Sequence, residues 1–391
     1  MKRLLAILLA TVLSLGALPM AMAEEAAAGP VKRVILDSDM NYLGDDGQSL
    51  LMLAQADKLG MVDFLGVTLS GGNSWLAEEA CAALRQLEML GREDIPVYAG
   101  CEVPIMGFRD QHAESVLFGY PEYAGIYYDR NTEEFLDPAG RPDVSEYLAL
   151  EPEPSYGYPE TARLQEGHAV DFIIEQVHKY PGEVTILVMG SSTNIALAVR
   201  QDPTIVDDCA GIMYSGGCID IPAHSSTADE FNMWFDPEAT KIALNTPWAE
   251  QVIMPNDCAF EITKTVDVYD RVAAKQDESI PAKMLAEHEY NSFYSNDGTS
   301  KDAADIWGYV WDIIVCAYYL NPDLGVRIEE RYVDMDTNFG ISYGHLVTWP
   351  DVATRDTATG KGMPYGTQKV KVLFEVDEEA FWDFYVELMT A

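Results

Sequence analysis

The sequence predicts an α/β protein, a single domain built on a mostly parallel open sheet flanked by helices. Short apolar segments of strand length alternate with longer segments whose apolar residues recur at helical spacing, and this alternation is typical of a parallel sheet covered on both faces. Hydrophobic residues make up 48% of the 391-residue chain. Such a chain has enough apolar surface to bury the large core that this architecture requires.

The first part of the chain supplies three predicted strands. The Val-Ile-Leu run at 34–36 is a buried strand, and the helix at 47–59 follows it with an apolar stripe of leucines. A second strand at 64–69 precedes a helix at 75–90, and a third strand lies at 95–99. These segments predict one side of the parallel sheet.

The alternation resumes after residue 160. In chain order, the predicted elements are a helix at 168–178, a strand at 184–189, a helix at 194–200, a strand at 211–214, a helix at 237–244, a strand at 251–254 and a helix at 312–320. A strand at 368–374 and a helix at 378–389 complete the same domain. We find no internal repeat and no convincing domain boundary.

Residues 107–160 interrupt this rhythm. The segment is rich in tyrosine, proline, glycine and acidic residues, which predicts an insertion with little regular structure. Two interpretations stay open for it, a loop exposed to solvent and a lid over a pocket.

The N-terminus has the pattern of a signal peptide. Two basic residues precede an apolar stretch at 4–18, and the Ala-Met-Ala of 21–23 supplies the small residues that signal peptidase accepts. The stretch is shorter than the ~20 residues that a transmembrane helix needs. We therefore expect cleavage of a signal peptide at 1–23, a secreted or periplasmic protein, a linker at 24–30 and one domain at 31–391.

The charge is strongly unbalanced. The chain has 64 acidic and 25 basic residues, a formal net charge of −39. Such a surface repels nucleic-acid backbones and anionic membrane surfaces, so we expect neither as a partner. A small neutral substrate or a cation suits it better, although much of the charge also serves solubility.

The six cysteines are scattered and none forms a CxxC pair, which argues against a zinc or redox site. Export permits disulfides, and Cys209 and Cys218 are the nearest pair, so the pairing stays open. Cys81 and Cys316 lie within apolar helical patterns, which favours buried thiols.

An acidic cluster is the sharpest signal in the sequence. Asp37 and Asp39 share one face at the end of the first strand, and Asp45 and Asp46 open the next helix. In open α/β sheets ligands bind beyond the carboxyl ends of the strands. Four carboxylates there repel one another unless a cation neutralises them, and oxygen ligands suit Ca²⁺ or Mg²⁺, with a loose carboxylate cage favouring Ca²⁺.

Two other interpretations apply to parts of this cluster. Helix capping by Asp45 or Asp46 and a turn at Asp37 explain one or two carboxylates but not four. A Mg²⁺-dependent phosphohydrolase of the haloacid dehalogenase type also has DxD after a strand, with Asp37 as nucleophile and Asp39 as acid and base. The negative net charge of the chain argues against this phosphohydrolase, because its phosphorylated substrate would be an anion.

Several motifs in the same order make the chain resemble the inosine-uridine preferring nucleoside hydrolase family. The family combines a strand, DxD, a short glycine-containing loop and DD at a helix start; here that loop has five residues, a longer variant of the usual three. Two further matching segments are 65–73, which ends in Gly-Asn, and 95–100. They are followed by the G-x-x-T-N-I-A-x-A segment at 190–198 and the E-F-N-x-x-x-D-P-E-A signature at 230–239. The last matches are Trp311-Asp312 and the segment 321–324. The resemblance covers residue 34 to the C-terminus, except for 107–160.

This resemblance implies the nucleoside hydrolase fold and Ca²⁺-dependent hydrolysis of the N-glycosidic bond of ribonucleosides. By resemblance, the Ca²⁺ ligands are Asp39, Asp46, the main-chain carbonyl of Met189, and Asp312. Asp39 also acts as the general base that takes a proton from water. The residues implied to bind the ribose hydroxyls are Asp45, Asn73, Glu230 and Asn232, with Asp37 supporting its neighbours from a second layer.

The chain departs from the family at Trp311. Many members have a histidine there that protonates the departing base, whereas a tryptophan can only stack on it. A purine-specific branch has Trp at this place, so purine nucleosides are weakly favoured; packing beside the sheet is the alternative for Trp311. His224 stands where relatives often have an asparagine near the 5′-hydroxyl.

Further candidates for a contact with the base are His112, Tyr120, Tyr123 and Tyr127, and none is assigned a catalytic role. A non-catalytic protein that binds ribonucleosides or pentoses on the same fold is the principal alternative function. Relatives form homodimers and homotetramers, but no interface is legible in this sequence.

Overall fold

A computed structural model describes residues 32–119, 123–129, 134–221, 230–263, 265–293, 310–350, 364 and 366–391. The strands are β1 (Arg33–Ser38), β2 (Asp63–Leu69), β3 (Val97–Ala99), β4 (Tyr128–Asp129), β5 (Glu134–Phe135), β6 (Val184–Val188), β7 (Gly211–Ser215), β8 (Gln251–Met254), β9 (Gly325–Met335), β10 (Leu346–Pro350) and β11 (Gln368–Val376). The helices are α1 (Asp45–Lys58), α2 (Leu76–Leu90), α3 (Gln111–Phe118), α4 (Ala169–Lys179), α5 (Thr193–Gln201), α6 (Ile205–Asp208), α7 (Phe231–Phe235), α8 (Pro237–Leu244), α9 (Asn256–Ala259), α10 (Val266–Ala273), α11 (Ile280–Phe293), α12 (Asp312–Leu320) and α13 (Glu378–Thr390).

The predicted α/β class is confirmed. In the described residues one large sheet has the strand order β10-β9-β11-β8-β7-β6-β1-β2-β3. All neighbouring pairs from β11 to β3 are parallel, and only the pairs β10–β9 and β9–β11 are antiparallel. Because the seven strands from β11 to β3 run in one direction, their carboxyl ends meet at one edge of the sheet.

Alternate residues of the central strands serve two different hydrophobic cores. On β1, Val34 and Leu36 pack into a core with α1, α2, α12 and α13, while Ile35 faces the opposite core with α4, α5 and α8. This period of two explains why the parallel strands are apolar throughout, since both faces of the sheet are buried.

The C-terminal part departs from the sequence prediction. β9 and β10 were not predicted, because β9 mixes charged and apolar residues (GVRIEERYVDM) and eight of its eleven residues are at least partly exposed. They form an antiparallel pair next to β11, and the described connection between them, residues 336–345, contains no helix.

The predicted irregular insertion contains more order than its composition suggests. It includes helix α3, which Asp110 caps by accepting a hydrogen bond from the Ala113 amide, and the short hairpin β4–β5. The regular structure in the described part of the insertion is limited to this helix, the hairpin and short 3₁₀ turns. Local capping, rather than apolar periodicity, stabilises this short helix.

A second correction concerns the signature that begins at Glu230. No helix was predicted at the start of this signature, but Glu230 caps helix α7 and Asn232 lies within it. Helix α7 has only five residues, and its run of Phe, Met and Trp shows no helical periodicity that could have identified it.

The expected buried thiols are confirmed. Cys81 and Cys316 are fully buried and form no disulfide, and the thiol of Cys209 donates to the carbonyl oxygens of Val184 and Gly211. Across the described ranges, no helix combines the length and apolar character needed to cross a bilayer.

Candidate metal centre and active site

The site lies where the carboxyl ends of the parallel strands meet. Asp39 follows β1, Asn73 follows β2, and Met189 follows β6. The polypeptide adds two helix starts to this edge, Asp45-Asp46 at α1 and Asp312 at α12. The position agrees with the general location of ligand sites in open parallel sheets.

Three carboxylates converge at the two helix starts. Asp45, Asp46 and Asp312 each present an oxygen, and these three atoms lie within 4.8 Å of one another. Helices α1 and α12 pack side by side, so residues about 270 positions apart meet at their N-termini. The peptide dipoles at a helix start favour negative charge, which makes both positions suitable for aspartate.

Asn73 connects Asp39 to this group. Its side-chain amide nitrogen donates to Oδ1 of Asp39 at 3.1 Å and to Oδ2 of Asp46 at 3.0 Å. Its backbone amide donates to Oδ2 of Asp39 at 2.9 Å. One residue thus fixes both oxygens of Asp39 and orients Asp39 and Asp46 relative to each other.

Close backbone approach makes this connection possible. Gly72 precedes Asn73, and a Cβ atom on Gly72 would overlap the carboxylate of Asp39. A residue with a side chain at this position would therefore displace Asp39, which explains the Gly-Asn pair at the end of β2 in physical terms.

Two further residues, neither of them predicted from the sequence, hold Asp46. The Ser38 hydroxyl donates to Oδ1 of Asp46 at 2.6 Å, and the Asn41 amide donates to Oδ2 at 2.9 Å. Ser38 is the middle residue of the DxD and Asn41 lies in the loop before the DD, where a search for polar side chains beside the acidic residues would have found them. They fix Asp46 before any ligand binds.

Electrostatics favour a cation at this group. Burial, followed by the charge of Asp45, raises the pKa of Asp46 to about 8. Burial and the charge of Asp46 raise the pKa of Asp39, and burial with the charges of Asp45 and Asp46 raises that of Asp312. The largest charged influences on these groups are other carboxylates, so each is costly to ionise without a positive charge nearby.

An unsatisfied oxygen gives a direct test of whether a metal fits. Asp312 is 3% exposed, and its Oδ1 atom has no hydrogen-bond partner. A buried carboxylate oxygen without a donor is unfavourable, and a divalent cation removes that penalty. The donor set consists of oxygen atoms, which is the chemistry that Ca²⁺ and Mg²⁺ prefer.

Asp37 lies below the site. Its Oδ1 atom accepts hydrogen bonds from Thr68 at 2.5 Å and from Asn194 at 2.8 Å, while burial raises its pKa to about 7. Asn194 also donates to the carbonyl oxygen of Leu69 at 3.0 Å. Asp37 therefore joins the ends of β1 and β2 to the start of α5.

Glu230 and Asn232 organise the neighbouring strand ends. The Glu230 carboxylate accepts hydrogen bonds from the backbone amides of Gly217, Asn232 and Met233. The Asn232 amide donates to the carbonyl oxygens of Met189 and Ser215, both at 3.2 Å. The predicted metal-binding carbonyl of Met189 is thus held in place by a predicted ribose-binding residue.

Trp311 stands directly before Asp312, and its ring is half-buried. The indole nitrogen donates to Oδ1 of Asn256 at 2.8 Å, which anchors that edge of the ring. Asn256 follows β8 and starts α9, and the sequence analysis had not identified it. The end of β8 therefore helps to orient the ring of Trp311, which directly precedes Asp312.

The insertion also reaches the site. The Tyr123 hydroxyl donates to Oδ1 of Asn73 at 2.7 Å. Tyr127 is buried in an aromatic cluster instead, and His112 is exposed with its ring against Phe135. Two other residues considered from the sequence, Tyr120 and His224, lie outside the described residues.

Comparison with known proteins identifies the family. The model of the family described as inosine-uridine preferring nucleoside hydrolase matches residues 34–383. A pyrimidine-specific ribonucleoside hydrolase, RihB of Escherichia coli (strain SE11), is 28% identical over 356 residues, which cover 91% of this chain and 96% of the relative.

Solved structures show the same fold. A plant nucleoside hydrolase, the PpNRh1 enzyme, is 24% identical with a TM-score of 0.70, covering 93% of this chain and 100% of its own. A purine-preferring ribonucleoside hydrolase from Gardnerella vaginalis is 20% identical with a TM-score of 0.65, covering 92% of this chain and 98% of its own.

Proposed function

Because the chain belongs to the inosine-uridine preferring nucleoside hydrolase family, whose members hydrolyse N-glycosyl bonds, we propose that it is a Ca²⁺-dependent ribonucleoside hydrolase. Its products are then free ribose and a nucleobase. The observation that carries the Ca²⁺ dependence is the convergence of Asp45, Asp46 and Asp312, together with the unsatisfied oxygen of Asp312.

The proposed ligands are Asp39, Asp46, the Met189 carbonyl and Asp312. When bound, the ion would act as a Lewis acid that holds the ribose hydroxyls and lowers the pKa of water. Asp45 belongs to the same cluster of carboxylates, and we propose that it accepts a hydrogen bond from a ribose hydroxyl. The hydrogen bonds from Asn73 and Ser38 pre-organise this ligand set before substrate arrives.

We assign proton transfer to Asp39. Its carboxylate is fully buried, and burial and the charge of Asp46 raise its pKa, so it binds a proton more strongly than an exposed aspartate. The hydrogen bonds from Asn73 to both of its oxygens hold it in one orientation. A base held in one fixed orientation suits the removal of a proton from water.

We further propose that Trp311 binds the base by stacking and that purine nucleosides are preferred. The support is the position of its ring directly before Asp312 and the hydrogen bond that fixes it to Asn256. The larger aromatic surface of a purine gains more from such a contact than a pyrimidine does. We propose that Glu230 and Asn232 contact ribose from the adjacent strand ends.

The experiment is a hydrolysis assay with inosine, adenosine, guanosine, uridine and cytidine, in Ca²⁺ and in EDTA. We expect release of ribose in Ca²⁺ and loss of activity in EDTA. Asp39→Asn should lower kcat by about 10²- to 10⁴-fold, the usual contribution of a general base. Asp94→Asn, an exposed carboxylate paired with Arg92, is the matched control.

Two results would contradict the proposal. Full activity of Asp39→Asn would remove the assigned base. Binding of ribonucleosides in Ca²⁺ without any release of ribose would instead favour the non-catalytic binding protein. Fastest hydrolysis of uridine or cytidine would overturn only the purine preference.

We also propose that the protein is exported after cleavage at residue 23, on the strength of the signal-peptide pattern. N-terminal sequencing of protein recovered from the extracellular or periplasmic fraction tests this. A mature chain that begins at Glu24 is the expected result, and retention of Met1 in intracellular protein would contradict it. We propose separately that the protein forms a homodimer or homotetramer. Sedimentation analysis measures the number of subunits.

A further inference from the structure

We propose that Tyr123, from the insertion, is a positioning residue that holds the Asn73 amide in its working orientation. The insertion would then complete the site rather than only cover it. This inference rests on the proposed function for its catalytic consequence, but its geometric part does not.

The orientation of the Asn73 amide follows from its neighbours. An amide has a donating end and an accepting end, and only the donating end is compatible with two carboxylates. The nitrogen donates to Asp39 and Asp46, so the oxygen must point away from both. The Tyr123 hydroxyl donates to that oxygen at 2.7 Å, which stabilises this orientation over the flipped one.

The segment around Tyr123 is packed directly against the turn that carries Asn73. The Ile126 amide donates to the carbonyl oxygen of Gly72 at 3.1 Å. Gly125 has a φ of 50°, and a Cβ atom there would overlap that same carbonyl and the ring of Phe231. The contact is closer than any residue with a side chain would permit, so this backbone is part of the wall of the site.

The same segment also contacts helix α7. The ring of Tyr123 lies 4.8 Å from that of Phe231 in an edge-on arrangement at 70°. Phe231 stands between Glu230 and Asn232, the two residues that organise the ends of β6 and β7. The segment around Tyr123 therefore contacts both the turn that carries Asn73 and the helix that carries Asn232.

Buried aromatic contacts give this segment a fixed position. Tyr127 is 2% exposed and packs against Phe235 at 5.4 Å and Trp234 at 6.1 Å. The Arg109 guanidinium lies 4.2 Å from the Trp234 ring and donates to the Trp234 carbonyl. Tyr123 and Tyr127 therefore both pack on α7, so Tyr123 is delivered to Asn73 from a well-packed backbone.

The test compares Tyr123→Phe with Tyr128→Phe. Both remove one phenolic hydroxyl from the same segment, but Tyr128 lies on β4 with its ring against Phe135. For Tyr123→Phe we expect kcat to fall by about tenfold, the effect of losing one hydrogen bond of about 1.4 kcal/mol, while KM changes by less than about threefold. Tyr128→Phe should match the wild type in both constants.

A double-variant cycle identifies the route of the effect. If Tyr123 acts through Asn73, the double variant Tyr123→Phe, Asn73→Ala is no slower than Asn73→Ala alone. Independent, multiplicative losses would overturn the positioning role. The same cycle applied to the dissociation constant for Ca²⁺, measured by calorimetry with CaCl₂ alone, gives a readout that needs no nucleoside.

A crystal structure of Tyr123→Phe separates this inference from the proposed function. An Asn73 amide that has rotated away from Asp39 or Asp46 supports the positioning role, even if the wild type hydrolyses no nucleoside. An amide that keeps both hydrogen bonds, with kcat and Ca²⁺ affinity unchanged, overturns it. Absence of hydrolysis in the wild type would contradict only the proposed function.

Discussion

Glu88 is the residue that ties the end of the insertion to helix α2. Its carboxylate accepts hydrogen bonds from the backbone amides of Glu160, Thr161 and Ala162 and from the Thr161 hydroxyl. Burial opposes its charge, but these four hydrogen bonds outweigh burial and lower the pKa of Glu88 to about 2. Arg85 also donates to it at 3.0 Å.

Glu88→Gln should therefore destabilise the protein in a pH-dependent way. A glutamine presents only one accepting oxygen to these donors, so we expect a loss of about 1–3 kcal/mol of unfolding free energy at pH 7. Because the folded pKa is lowered, the stabilisation is present above the unfolded pKa of about 4.3 and is lost as pH falls towards 2. Urea unfolding at pH 7 and pH 2.5 measures both.

The control for this prediction is Glu166→Gln, which changes an exposed glutamate close to the same segment. It should leave the unfolding free energy unchanged at both pH values. An equal effect of the two substitutions would show that Glu88 does not hold the insertion.

Trp311 allows a second prediction at the scale of one residue. Trp311→Ala removes the aromatic surface, and stacking of a base on an aromatic ring contributes about 1–3 kcal/mol. We expect kcat/KM for inosine to fall by roughly 5- to 150-fold, with a smaller fall for uridine. Trp311→Phe keeps a ring but loses the hydrogen bond to Asn256, so its kcat/KM for inosine should lie between those of the wild type and Trp311→Ala. Equal losses for both substrates would contradict base stacking.

At the scale of the elements, His178 links α4 to the segment around α6. Its ring nitrogens lie 2.7 Å from Asp208 and 3.0 Å from Asp202. The hydrogen bonds to Asp208 and then Asp202 raise the pKa of His178, because both stabilise the protonated ring. The link is therefore strongest when the histidine carries a charge.

His178→Gln should weaken the protein most in mildly acidic solution. The folded pKa is raised, so this contribution is fully present below the unfolded pKa of about 6.5 and is lost as pH rises through the folded value. We expect the difference in unfolding free energy between wild type and variant to be larger at pH 5.5 than at pH 9. His112→Gln, at an exposed ring, is the control, and a difference that grows with pH would refute the link.

The elements that carry the site were predicted more accurately than those at the sheet edge. β1 and α1 were predicted within two residues of their observed bounds, because an apolar strand and a leucine stripe are local patterns. β9 and β10 were missed, because strands with a partly exposed face lack a continuous apolar run. Helix α7 was missed because its five residues span little more than one turn.

At the scale of the whole molecule, the carboxylates couple folding to the metal. Burial raises the pKa of Asp37 to about 7 and that of Asp46, with help from Asp45, to about 8. Without a cation, the folded state therefore holds protons that the unfolded chain has released. The contribution of these two groups to stability in EDTA should be greatest below the unfolded pKa of about 4 and should be lost as pH rises through 7 to 8.

Calcium should reverse this trend. A ligand that binds only the folded state at 100 times its dissociation constant stabilises by about 2.7 kcal/mol, and protons compete with it at low pH. We expect the difference in unfolding free energy between CaCl₂ and EDTA to grow from pH 5 to pH 8, as measured by urea unfolding. Asp312→Asn should abolish most of that difference; an unchanged difference would place the ion elsewhere.

The sequence by itself determined the parallel α/β class and the acidic group at the end of β1, because strand periodicity and the short loop to α1 place Asp39 and Asp46 at one edge. No local pattern predicts that Asp312 joins this group, and only the family resemblance implied it. The tertiary structure places it beside Asp45 and Asp46, since the packing of α1 on α12 joins residues far apart in the chain. It also directed Tyr123 to Asn73, through close backbone packing that no local pattern in a glycine- and tyrosine-rich segment encodes.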